Sequence, residues 1–192
     1  MGSFYTNVTL RTTDSVSVRH ELTKRRATAY VSRLDADALV VFERDSEDQD
    51  PVVLRKLSAA LSSALSCAAL AVTNHDDSVL LYALFQNGKL VDEYNSAPDY
   101  FDEGDKGKGR GGDATLLTAT LGVPGEASRI REILALEGGT EDGVVFETDR
   151  HEQLVDALGL PHSAIATGYN YLEESEYPEG YDATDFERVG DA

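Results

Sequence analysis

The chain has 192 residues, 41% of them hydrophobic, with 35 Asp and Glu against 17 Lys and Arg, a formal net charge of −18. So large an acidic excess repels nucleic acid and anionic membrane surfaces and favours basic partners, while leaving the fold open. The hydrophobic content suffices for a core, no apolar run reaches the roughly 20 residues of a membrane-spanning helix, and the charged, polar first 20 residues read as no signal peptide.

These features lead us to expect one cytoplasmic domain over residues 1–192. Its acids are 19 Asp and 16 Glu, and only 5 of its 17 basic residues are Lys. An acidic shell poor in Lys suits a high-salt cytoplasm, where screening removes self-repulsion. A halophilic source is therefore an explanation of the charge that needs no binding site.

The pattern of residues predicts an α+β fold, a two-layer antiparallel sheet with helices packed on it. Residues 4–12 alternate as a strand, and a helix over 15–26 follows, with Ser15 as its N-cap. Runs 29–34 and 38–44 form a hairpin around Asp35-Ala36-Asp37. Asp45, Glu47, Asp48 and Asp50 then precede Pro51 as capping and dipole partners of a helix over 51–66, whose Val53, Leu54, Leu57, Leu61 and Leu65 recur at helical spacing. A second hairpin over 68–85 turns at Asn74–Asp77, loosely repeating the first, and Asn87-Gly88, a strong hairpin signal, leads into a strand over 89–94. Residues 1–96 thus read as a β-α-β-β-α-β-β-β core with both helices on one face.

A mixed α/β half follows. Residues 97–112, rich in Gly, read as an exposed flexible loop. Helices are expected over 113–121, 126–136 and 150–158, with strands over 143–147 and 164–171. The segment 173–192 has eight acids against Arg188 alone; its aromatics Tyr177, Tyr181 and Phe186 suggest partial docking on the body.

Motifs for chemistry are sparse. The run Gly104–Gly112 lacks the Gly-x4-Gly-Lys-Ser/Thr pattern and the preceding strand of a phosphate loop. His151-Glu152 has Val155 where a zinc protease needs its second His. Asp45–Asp50 lacks the central Gly and terminal Glu of a calcium loop. Asp99, Asp102, Glu103 and Asp105, and the turn Asp76-Asp77, remain as candidate Ca²⁺ or Mg²⁺ ligands. No Gly-x-Ser-x-Gly elbow occurs, and Cys67 sits in an apolar run as an inert buried thiol. Of His20, His75, His151 and His162, only His75 has a neighbouring acid, Asp76, that could orient its imidazole; His75, Asp76 and Asp77 are the candidate catalytic residues. No cofactor is expected.

Aromatic residues give the positive sign of recognition. Tyr94, Asp99, Tyr100, Phe101 and Asp102 gather where the sheet ends, and Tyr169 and Tyr171 precede the acidic tail. Aromatic anchors ringed by carboxylates suit a basic protein surface. The run Leu84–Ser96 through Asp99-Tyr100-Phe101, with the opening Met1–Asn7, resembles a group of bacterial proteins of similar length that have no assigned activity, so the resemblance brings no residue roles with it. The expectation is a non-enzymatic interaction module, of the immunity or inhibitor type, binding a basic protein through Tyr94, Asp99, Tyr100, Phe101, Asp102, Tyr169 and Tyr171. The alternatives are a metal-dependent hydrolase working from His75, Asp76 and Asp77, and a halophilic protein of unrelated role.

Overall fold

A computed structural model describes residues 2–100, 109–139 and 143–190. Eight strands form one antiparallel sheet: β1 (Tyr5–Leu10), β2 (Ala29–Ser32), β3 (Leu39–Glu43), β4 (Ala68–His75), β5 (Val79–Gln86), β6 (Lys89–Asn95), β7 (Arg110–Gly111) and β8 (Phe186–Val189). Their order is β7-β6-β5-β4-β1-β3-β2-β8. The helices are α1 (Ser15–Lys24), α2 (Pro51–Leu65), α3 (Ala114–Leu121), α4 (Ala127–Ala135), α5 (Glu147–Leu158) and α6 (Tyr169–Glu173). The expected β-α-β-β-α-β-β-β succession is present, and its first part, with order β4-β1-β3-β2 and helices joining β1 to β2 and β3 to β4, is a split β-α-β plait.

Strand alternation sends side chains to two faces. Val8, Leu10, Val31, Leu39, Val41, Ala69 and Ala71 meet Val18 and Leu22 of α1 and Leu54 and Leu61 of α2. From the other face Tyr5, Leu70, Val72, Leu80, Tyr82 and Leu84 meet Leu117, Ile130, Ile133, Leu154 and Leu158 of α3–α5. The C-terminal half therefore adds a third layer to the two predicted for residues 1–96. At the β2 end, Val40 and Phe42 are covered by Ala164, Tyr169, Leu172 and Phe186.

Local chemistry explains the boundaries. Asp14, one residue before the expected Ser15, caps α1 by accepting from Ser17 N, and Asp50 caps α2 by accepting from Val52 N, with Pro51 in the first turn. The hairpin turns have consecutive residues of positive φ: Ala36 and Asp37, Asp76 and Asp77, Asn87 and Gly88. The last, joining Gln86 and Lys89 as a pair, is the two-residue connection that Asn-Gly signals.

Three expectations are corrected. The loop predicted over 97–112 contains a strand: β7 pairs Gly111 with Tyr94, and Gly111, at φ +80°, lies so close to the Glu93 carbonyl that a Cβ would collide with it. The strand predicted over 143–147 is a single parallel bridge from Val144 to Gly138, and Glu147 already belongs to α5. Residues 164–171 form no strand; the run passes from a 3-10 turn, through a turn with Ala166 at φ +51°, into α6. The acidic segment after Glu173 docks through β8, which pairs with β2 along its whole length.

The α4–α5 junction rests on a buried ion pair. Arg150 and Glu147 are both buried; Arg150 Nε donates to Glu147 Oε2 at 2.7 Å, while its other nitrogens donate to the carbonyls of Ile133 and Leu136 at the end of α4. Tyr94 adds a third bond there, from its hydroxyl to Leu134 O at 2.9 Å. One cation thus caps carbonyls at the C-terminal end of the helix, where the backbone leaves acceptor capacity unused. Arg150→Ala strands the Glu147 carboxylate in the core and should cost about 3 to 5 kcal/mol, read as a fall in the urea midpoint; replacing both residues with Leu should cost less.

Candidate functional site

The turn after β4 holds the N-terminal segment. Asp76 Oδ1 accepts from Gly2 N at 3.2 Å and Asp77 Oδ2 from Ser3 N at 2.8 Å. The other oxygen of Asp77 accepts from Asn74 Nδ2 at 2.9 Å and from the Thr148 hydroxyl, and the Asp77 carbonyl accepts from Glu147 N. Burial raises the pKa of this carboxyl, and the bonds from Thr148, Ser3 and Asn74 more than reverse that, holding it below its ordinary value. Both carboxylates of the candidate catalytic turn are therefore engaged in tying the N-terminus and α5 to the sheet.

His75 is oriented by Gln49, not by Asp76. Its Nδ1 donates to Gln49 Oε1 at 2.7 Å, and Gln49 Nε2 donates to Asn74 O, which fixes the amide. Gln49 reaches this position because it sits with φ +57° at the end of the 3-10 turn before α2. The imidazole lies between two exposed rings, Phe4 at 4.9 Å and Tyr100 at 5.9 Å, both edge-on. Two candidates from separate segments, His75 and Tyr100, thus meet directly, and Phe4 packs on the imidazole beside them.

Phe4 also leads to the third. Its amide donates to the Tyr171 hydroxyl at 3.4 Å, and Ser3 borders a cleft of about 610 Å³ beside it. Tyr171, Tyr177, Pro178 and Ile165 give this cleft apolar surface, and Glu152, Glu176 and Glu179 give it negative charge, with no Lys or Arg among the described residues that line it. His162 stands at the same rim, its Nε2 3.0 Å from Asp156.

The other expected contact residues divide. Tyr94 is 3% exposed; burial pushes its hydroxyl up to about 12, and it belongs to the core below α4. Tyr169 is 4% exposed, packed on Tyr30 and hydrogen-bonded from Arg188. Both rings are interior, so as surface contacts Tyr94 and Tyr169 are corrected: strand alternation and the start of α6 point them inward. Asp99 lies 3.9 Å from Arg110. Phe101, Asp102, Glu103 and Asp105 fall outside the described residues. Among the described residues no three of His, Cys, Asp and Glu gather to hold a metal ion.

Several participants carry no mark in the sequence. Phe4 reads there as a strand former, Glu152 as part of an incomplete zinc motif, and Gln49 as a loop residue. Their link to His75 and Tyr171 spans much of the chain, so no local pattern could have found it. Glu47 is likewise drawn inward: burial raises its pKa, while Tyr169 N and Thr6 Oγ1 donate to it. The inert state expected for Cys67 fits its burial, which pushes the thiol up to about 11.

Searches of family models, curated proteins and solved structures find no match to this chain. No helix among the described residues is long and apolar enough to cross a membrane.

Behind the cluster, Tyr5 and His151 form a buried pair, hydroxyl to Nδ1 at 2.9 Å. Burial lowers the His151 pKa to about 4, so the folded protein holds it neutral where the unfolded chain takes up a proton near pH 6.5. The contribution is intact above pH 6.5 and is lost as pH falls towards 4. Between pH 7 and pH 4 the wild type should lose about 3 kcal/mol more than His151→Asn, measured by urea unfolding at each pH.

Proposed function

We propose that the protein is an interaction module that binds a basic partner protein, in the manner of an immunity or inhibitor protein, through the surface running from Phe4, His75 and Tyr100 to the cleft beside Tyr171 and Tyr177. The observation that carries this reading is that His75 and Tyr171, from distant parts of the chain, both meet Phe4, and that Tyr100 packs on the His75 ring. Exposed aromatic rings offer contact area at small entropic cost, and carboxylates at the cleft steer a basic surface towards them. The orientation of His75 by an amide, and the use of Asp76 and Asp77 as acceptors for backbone N–H groups, favour a fixed recognition surface over a catalytic turn.

Partner capture from lysate of the source cells tests the reading, with the wild type set against Phe4→Ala/Tyr100→Ala and Glu152→Gln/Glu176→Gln/Glu179→Gln. One basic protein held by the wild type should be bound at least about tenfold more weakly by each variant, as truncated anchors and lost steering require. Equal retention by all three proteins, or none by the wild type across the salt range, would overturn it. A protein whose acidity serves only high salt would instead gain stability with salt and lose nothing on substitution.

A further inference from the structure

A second cleft, of about 310 Å³, opens on the face of the sheet that carries α2. Its floor is apolar and made of short side chains: Ala71 and Ala83 are a directly opposed pair on β4 and β5, flanked by Leu81 and by Leu54 of α2. Farther along the helix, Leu61 fills the space between α2 and the sheet, with Leu57 and Leu65 packed against the same cluster. Between Leu54 and Leu61, Ser58 is also buried, its hydroxyl turned back to Leu54 O. The short side chains of Ala71 and Ala83 on the sheet leave the space open. A volume of this size is at the lower end of the range for small-molecule sites, about 300 to 1,000 Å³.

Among the described residues that line this cleft the balance of charge is positive, unlike that of the chain as a whole. Arg55 from α2 and Arg110 from β7 stand there against a single lining acid, Glu93. Arg55 pairs with Glu93 at 2.7 Å, but both side chains are about half exposed, and such solvated pairs hold weakly. Arg110 is mostly exposed and approaches Asp99 only to 3.9 Å. Both guanidinium groups are placed to exchange these contacts for a bound anion, and a planar fork matches a carboxylate with two parallel hydrogen bonds.

We propose that this cleft binds a small amphiphilic carboxylate, its apolar body on Leu54, Ala71, Leu81 and Ala83 and its carboxylate between Arg55 and Arg110. The apolar floor supplies the greater part of the contact, and the two arginines select an acid over a neutral molecule of equal shape. This site stands apart from the acidic cleft, whose lining would repel such a ligand.

Methyl NMR of the full chain tests this with 2-naphthoate as the probe and 2-naphthalenemethanol as its neutral counterpart. Millimolar naphthoate should shift the methyls of Ala71, Leu81 and Ala83 saturably, with the alcohol about tenfold weaker. Arg55→Gln and Arg110→Gln, at exposed positions that leave the core intact, should each weaken naphthoate binding by a similar factor. Ala83→Leu, which fills the floor, should abolish it. The absence of saturable shifts, equal binding of acid and alcohol, or binding unchanged in both arginine variants would overturn the proposal; if Ala83→Leu fails to fold, the arginine variants decide.

Discussion

Burial of β1 is the constraint from which the other layers follow. All six residues Tyr5–Leu10 are buried, because the strand lies inside the sheet between β4 and β3 and helices or turns cover both of its faces. Val8 and Leu10 enter the core under α1 and α2, whereas Tyr5 meets His151 of α5. The amide of Asn7 donates to the carbonyls of Ala164 and Thr167, holding the chain on that side. Thr6 meets Glu47, which in turn accepts from the first amide of α6. Polar side chains in a strand buried on both faces need internal partners; Thr6 and Asn7 find theirs in Glu47 and in the C-terminal half.

The negative charge is distributed unevenly between structure and surface. Asp14, Asp50, Asp77, Asp113 and Asp182 accept from backbone amides at helix starts and turns, so part of the acidity is local architecture. Glu147 is neutralised by Arg150 inside the protein. What remains on the surface includes Glu152, Glu176 and Glu179 at the cleft, and it is these carboxylates, free of structural duty in the ladder and caps, that give the cleft its sign.

Much of the first half was legible in the sequence because its elements follow local rules. Alternation marked β1, β-rich runs bounded by turn residues marked β2 to β5, helical spacing marked α2, and Asn87-Gly88 marked the turn into β6. The second half was legible where caps and glycines bound a helix, as at Asp113, Gly122 and Gly159. It misled where an apolar run had no period to decide it: 164–171 contains good strand formers, yet Asn7, more than 150 residues away, holds its backbone carbonyls in a turn. The aromatic candidates divided for the same reason. Composition singles out Tyr94, Tyr100, Tyr169 and Tyr171 alike, and only packing across the chain separates the two interior rings from the two at the surface.

The pairing of β8 with β2 has a consequence for synthesis. Ser32 lies opposite Phe186, a separation of 154 residues. At about 5 to 20 residues per second, the ribosome takes roughly 10 to 30 s to deliver the strand that closes this edge. Through that interval β2 presents unpaired backbone groups, and Phe42 lacks the ring of Phe186 that later packs against it. The sheet is thus sealed from its far end last, and the nascent chain passes through a stage in which its most adhesive border is open.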